Sequence, residues 1–127
     1  MNATVLVVED EADVMLTFRI ILQTAGYRVV EASTGEEALL ILDNLVPDAM
    51  ILDLRLPGID GWEVLAVIRQ TGLLPKTPIV IASAHAHPDQ RRRAEQLGCT
   101  AMFTKPFSAE ELRHTLREAL APSASRR

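Results

Sequence analysis

The sequence predicts a doubly wound α/β fold, in which a parallel sheet of five strands carries helices on both faces. Short apolar runs rich in β-branched residues alternate five times with segments whose apolar residues have helical spacing. The 127 residues fit one domain, and 48% of them are hydrophobic, which is enough for a buried core. Right-handed crossovers between successive strands would place the helices on the two faces of one sheet.

The first part of the chain predicts three strands separated by two helices. The first helix carries apolar residues at positions 14, 18, 21, 22 and 25, which lie on one face, and Gly26 closes it in a left-handed conformation. Thr34 and Glu37 have the spacing of a capping pair, which begins a second helix that runs to about Leu45. The three strands are expected at Tyr27–Ala32, near the edge of the sheet, and at Thr4–Val8 and Asp48–Asp53.

The second part of the chain predicts three helices and two strands. After a loop at 54–61, apolar residues at positions 62, 65 and 68 indicate the third helix. Pro88 suits the first turn of a fourth helix, which ends near Gly98. Ser108 and Glu111 form another capping pair and begin the last helix. The two strands are Ile79–Ala82, whose apolar character favours a central position, and the short Ala101–Thr104.

Composition and charge exclude several classes of protein. The chain has 13 basic and 17 acidic residues, a net charge of −4, which argues against direct nucleic-acid binding. The single cysteine, Cys99, excludes an internal disulfide and suits a reducing cytosol. No apolar stretch approaches the roughly 20 residues that span a bilayer. We therefore expect a cytoplasmic protein without membrane contact, with one domain at residues 1–121 and a flexible tail or linker start at 122–127.

Charged and polar residues stand where four of the predicted strands end. Because the carboxyl ends of parallel strands share one edge of a sheet, and ligands of such sheets bind at this edge, these side chains should converge. The residues are Glu9 and Asp10 after the first strand, Asp53 at the end of the third, Ser83 after the fourth and Lys105 after the fifth.

The three carboxylates predict a metal site. Carboxylates that lie close together raise one another's pKa unless a cation sits among them. A set of ligands made only of oxygen indicates a hard divalent ion, and Mg²⁺ fits best. We expect Asp10 and Asp53 to bind the metal directly and Glu9 to act through water, with the backbone carbonyl of Arg55 completing the set.

The same edge of the sheet suits a phosphoryl group. Lys105 offers a positive charge, and Ser83 and the Ala84 N–H offer hydrogen bonds to phosphoryl oxygens. An aspartate carboxylate is a competent phosphoryl acceptor. Phosphoryl transfer asks mainly for positioning and charge neutralisation, which these groups supply. Asp53 is therefore the predicted acceptor.

Four segments of the chain resemble the signature segments of response-regulator receiver domains. The resemblance runs from Thr4 to about Leu120 and implies a flavodoxin-like α/β/α sandwich with strand order 2-1-3-4-5. It also implies a cis Lys105–Pro106 bond, and Mg²⁺-dependent transfer to Asp53 from the phosphohistidine of a histidine kinase or a histidine phosphotransfer protein. The segments are Val7–Glu11, Asp53–Gly61, Ile81–Ala84 and Thr104–Phe107.

The resemblance implies a phosphorylation switch and not a metabolic enzyme. Asp53, Ser83 and Lys105 would carry the phosphotransfer and dephosphorylation that the domain catalyses on itself. The signal would pass to a downstream protein or a covalently linked output domain through the fourth helix, fifth strand and fifth helix, a face that could also form a homodimer. One departure affects this switch: Met102 stands where the family usually has an aromatic residue, and Phe103 lies on the opposite side of the strand.

Two other classes of protein fit the sequence less well. An aspartate-nucleophile phosphatase of the haloacid-dehalogenase type places a second aspartate two residues after the nucleophile, where this chain has Arg55, and it needs a cap domain. A nucleotide-binding domain needs a glycine-rich turn after the first strand, where this chain has the acidic segment Glu9–Asp13. The phosphatase is the stronger of these alternatives.

Overall fold

Five strands alternate with five helices in the computed structural model, which describes residues 2–85 and 87–121. The predicted alternation is confirmed, whereas the predicted tail at 122–127 lies outside the described residues. None of the helices in the described residues combines the length with the apolar character that a membrane span requires. The strands are β1 (Thr4–Val8), β2 (Arg28–Ala32), β3 (Ala49–Asp53), β4 (Ile79–Ser83) and β5 (Ala101–Thr104), and the helices are α1 (Ala12–Thr24), α2 (Gly35–Leu42), α3 (Gly61–Thr71), α4 (Pro88–Gln96) and α5 (Ala109–Ala119).

The sheet has the order β2-β1-β3-β4-β5, and all its neighbouring strands are parallel, as expected. The apolar strands β3 and β4 are fully buried, and β2 lies at an edge. Val8 pairs with Leu52 and Asp53 pairs with Ala82, so β1, β3 and β4 end at one level. The strand order reverses at β1 and β3, which is where a sheet of this type forms its crevice.

The core consists of two layers, because successive residues of a strand point to opposite faces of the sheet. One layer lies under α2, α3 and α4, and the other lies under α1 and α5. Phe103 belongs to the second layer, where its ring meets Phe18 and Phe107 at centroid distances of 6.4 and 5.1 Å. Met102 packs against the first layer. The two residues therefore lie on opposite sides of β5, as the sequence predicted.

The end predicted for α2 is wrong by three residues. The helix stops at Leu42 and not at Leu45, because the backbone tightens at its end. The N–H groups of Asp43 and Asn44 bond to carbonyls only three residues back, at 3.2 and 3.1 Å, and Pro47 follows. Hydrogen bonds to the third residue back, instead of the fourth, are typical of the last turn of a helix and do not extend it.

Candidate functional site

The carboxyl ends of β1, β3 and β5 bring Glu9, Asp53 and Lys105 together. Asp53 is the last residue of β3 and is 4% exposed, and Glu9 follows β1 and is 1% exposed. The ammonium nitrogen of Lys105 lies 2.5 Å from Glu9 Oε1 and 3.0 Å from Asp53 Oδ2. The ammonium therefore bridges two buried carboxylates at the centre of the predicted site.

Asp10 completes a cluster of three carboxylates. One oxygen from each of Glu9, Asp10 and Asp53 lies within 4.8 Å of the others. Asp10 is exposed, so the cluster opens to solvent on its side. Three converging carboxylate oxygens fit a hard divalent cation that keeps some of its waters, as Mg²⁺ does. The prediction that Glu9 acts on the metal through water stays a prediction.

Burial sets the electrostatics of the Glu9–Lys105 pair. Burial raises the pKa of Glu9 above its ordinary value, and this effect outweighs the hydrogen bond from Lys105, which lowers it. Burial alone would lower the pKa of Lys105, but its hydrogen bonds to Glu9 and Asp53 outweigh burial and raise that pKa. Lys105 is therefore protonated at neutral pH. The buried Glu9 carboxylate would be stabilised in its charged form by a further cation.

The Asp53 carboxylate is held at both oxygens. Oδ2 accepts from Lys105, and Oδ1 accepts from the Arg55 N–H at 3.1 Å. The second bond turns the chain sharply after β3 and fixes the carboxylate at the sheet edge. The Arg55 side chain is exposed. That the backbone carbonyl of Arg55 binds the metal stays a prediction.

Ser83 lies at the same edge but bonds to its own loop. It is the last residue of β4 and is 3% exposed. Its hydroxyl donates to the His85 carbonyl at 2.7 Å and accepts from the His85 N–H at 3.1 Å. The hydroxyl would have to leave the His85 carbonyl before it could donate to a phosphoryl oxygen.

The structure has an ion pair beside the carboxylates that the sequence did not predict. Arg19 of α1 donates to both carboxylate oxygens of Glu31 of β2, with 2.9 Å between Nη2 and Oε1. The hydrogen bond from Arg19 holds the pKa of Glu31 below its usual range. Together with Glu9 and Asp10, the pair lines a cleft of about 330 Å³. No local pattern signals this contact, because its partners stand in different elements.

Comparison with known proteins identifies the family. The family model described as "Response regulator receiver domain" matches residues 5–117. The alkaline phosphatase synthesis transcriptional regulatory protein PhoP of Bacillus subtilis is 36% identical over 123 residues, which are 97% of this chain and 50% of that protein. The chain thus spans about half the length of this curated relative, and it covers 48% of the positive alginate biosynthesis regulatory protein of Pseudomonas aeruginosa, at 37% identity and over 94% of this chain.

Solved structures that resemble this chain support the same family. The chemotaxis protein CheY4 of Vibrio cholerae superposes with a TM-score of 0.89 at 31% identity, over 94% of this chain and all of that one (100%). The receiver domain of the sensor histidine kinase PA1611 of Pseudomonas aeruginosa, solved with a magnesium ion coordinated in its active-site cleft, gives a TM-score of 0.87 at 28% identity, over 96% of this chain and 100% of that one.

The predicted fold and family are both confirmed by these similarities. They give no support to the phosphatase alternative. With a family model that matches most of the chain, this protein belongs to the receiver domains of two-component response regulators.

Proposed function

We propose that Asp53 accepts a phosphoryl group from the phosphohistidine of a histidine kinase or a histidine phosphotransfer protein. The observation that carries this proposal is the position of Asp53. It is a buried carboxylate that accepts from the Lys105 ammonium at 3.0 Å and also belongs to the cluster with Glu9 and Asp10. A cation and a metal-binding set on either side of one carboxylate suit the charge that develops during phosphoryl transfer.

Mg²⁺ is the proposed cofactor. Glu9, Asp10 and Asp53 would hold it, together with the carbonyl of Arg55, and the donor set supports a hard cation of this kind. When bound, the metal would neutralise charge on the phosphoryl oxygens. The magnesium ion reported for the PA1611 receiver domain supports the same choice.

The side chains of the domain supply the remaining catalysis. Lys105 is proposed to move from bridging Glu9 and Asp53 to pairing with the phosphoryl group, with its charge kept by the raised pKa. Ser83 would exchange its bond to the His85 carbonyl for a bond to a phosphoryl oxygen, beside the N–H of Ala84. The domain would in this way catalyse its own phosphorylation and dephosphorylation and act on no metabolite.

The phosphorylated domain is proposed to signal through another protein or a linked output domain. PhoP and the positive alginate biosynthesis regulatory protein are both about twice as long as this chain, and PhoP is named a transcriptional regulatory protein. Residues 1–121 would form the receiver unit, with α4, β5 and α5 as the output face or a homodimer interface. The net charge of −4 supports a role without direct contact to nucleic acid, and we place the protein in the cytoplasm without membrane contact.

Intact-mass measurement after treatment with acetyl phosphate and Mg²⁺ tests the proposal. The parent should gain one phosphoryl group, and Asp53→Asn should gain none. Asp43→Asn, which changes an exposed carboxylate at the end of α2, is the matched control and should behave as the parent does. An equal gain in Asp53→Asn would refute Asp53 as the acceptor.

A further inference from the structure

Helix α4 is attached to the domain with little apolar packing. Its sequence is PDQRRRAEQ, and all of its residues are described; among them only Ala94 is buried. A helix at a protein surface usually buries an apolar stripe more than 100° wide. Other contacts must therefore hold α4 in place, and two of them come from α3.

The first contact joins the beginning of α3 to the middle of α4. The guanidinium carbon of Arg93 lies 4.3 Å from the ring centroid of Trp62. A guanidinium over an indole ring at this distance is a cation–π contact. Trp62 is the only tryptophan of the chain and is half-buried.

The second contact joins the end of α3 to the end of α4. Arg69 donates from Nε to the Leu97 carbonyl at 2.7 Å and from Nη2 to the Gly98 carbonyl at 3.2 Å. Carbonyls at the end of a helix lack partners within it, so the arginine satisfies acceptors that α4 leaves open. A cation at this end also complements the helix dipole.

Both contacts join the same face of α3 to the same face of α4. Trp62 and Arg69 are seven residues apart, which is about two turns of α3, so they lie on the same face of that helix. Arg93 and Leu97 are four residues apart, about one turn, and likewise share one face of α4 and its end. The two neighbouring arginines of α4 make different contacts: Arg92 pairs with Asp89 of the same helix at 3.1 Å, and Arg91 donates to the Met102 carbonyl of β5 at 3.5 Å.

We propose that α4 is a separately opening element, latched onto α3 by the Arg93–Trp62 contact and by the bonds from Arg69 to the Leu97 and Gly98 carbonyls. When these contacts break, α4 leaves the body of the domain while the sheet stays folded. A partner that prefers the open state has to offset these contacts, together with the burial of Ala94 and the bond from Arg91 to the Met102 carbonyl of β5, to shift the population. This opening belongs to the resting protein and does not depend on which residue accepts a phosphoryl group.

Amide hydrogen exchange of the full chain, followed residue by residue by NMR, tests the latch. In the parent, amides within α4 should exchange faster than those of β3 under native conditions. Arg93→Met should speed exchange in α4 about fivefold while leaving β3 unchanged, since it removes one weak contact. Arg69→Met should speed the same amides and leave β3 unchanged.

Arg92→Met is the matched control, because it removes the same charge from the next residue of the same helix. It should leave exchange in α4 near the parent rate, and Trp62 emission should shift in Arg93→Met but not in Arg92→Met. The proposal is overturned if α4 exchanges as slowly as β3 in the parent. It is also overturned if Arg93→Met and Arg92→Met give equal exchange rates in α4.

Discussion

Lys105 lies where it competes with a metal ion for Glu9 and Asp53. Its ammonium contacts both carboxylates, so Mg²⁺ must bind against this positive charge. We predict that Lys105→Met binds Mg²⁺ more tightly than the parent and is phosphorylated more slowly. Titration followed by Trp62 fluorescence measures the affinity, and Lys76→Met, the only other lysine and an exposed one, is the control. Unchanged affinity in Lys105→Met would show that the ammonium does not compete.

Glu9 makes the stability of the metal-free protein depend on pH. Burial raises the pKa of Glu9 in the folded protein above its pKa in the unfolded chain, which is about 4.3. The stability that Glu9 contributes is therefore complete below the unfolded-state pKa and is lost as pH rises through the folded-state pKa. We predict that Glu9→Gln removes this loss, so that the variant gains stability over the parent as pH increases. Glu31, with its lowered pKa, acts in the opposite direction but equally in both proteins.

Urea denaturation in EDTA between about pH 4 and pH 7 checks this prediction. The difference in unfolding free energy between Glu9→Gln and the parent should grow across the interval. Parallel pH profiles for the two proteins would contradict it.

Arg55 is placed to control the lifetime of the phosphoryl group. It stands two residues after Asp53, is exposed, and can fork across phosphoryl oxygens. We predict that Arg55→Ala hydrolyses its aspartyl phosphate several-fold faster than the parent, a change of roughly 1 kcal/mol or less in barrier. Decay of phosphoprotein after removal of the donor measures this. Slower decay in Arg55→Ala would mean that the arginine assists the attacking water.

At the scale of elements, the beginning of α3 must approach the end of β3 closely. A Cβ atom at Gly61 would lie 2.3 Å from the Asp53 carbonyl oxygen and 2.7 Å from the Leu54 Cα atom, and backbone cannot move aside cheaply. We predict that Gly61→Ala costs about 3 kcal/mol of stability through overpacking. Gly26→Ala has a φ of +96° but open space, and should cost only about 1 kcal/mol. Equal urea midpoints for the two variants would contradict this packing argument.

Helix boundaries were predictable where local chemistry decides them. Ser108 and Glu111 form the reciprocal capping box that their spacing indicates. Asp60 and Glu63 form another capping box at the start of α3, which the spacing of apolar residues after a loop rich in turn residues does not predict. The end of α2 was wrong because the spacing of apolar residues continues to Leu45 after the backbone has left the helix.

At the scale of the whole molecule, topology brings the ends of distant strands together, and this much followed from the sequence. The placing of Glu9, Asp53 and Lys105 at one edge needs only parallel strands of matched length. The direct contact of Lys105 with Glu9, 96 residues away in the chain, did not follow, because side-chain rotamers depend on packing that no local pattern contains. The bonds between Ser83 and the backbone of His85 were missed for the same reason.

Locating the phosphoryl group in the chain tests most directly whether Asp53 is the acceptor. Protein treated with acetyl phosphate and Mg²⁺ is reduced with borohydride, which converts an aspartyl phosphate to homoserine, and its peptides are sequenced by tandem mass spectrometry. The predicted result is modification at Asp53 alone, dependent on Mg²⁺ and absent from Asp53→Asn. Modification at Glu9, Asp10 or any residue other than Asp53 would contradict the assignment of the acceptor.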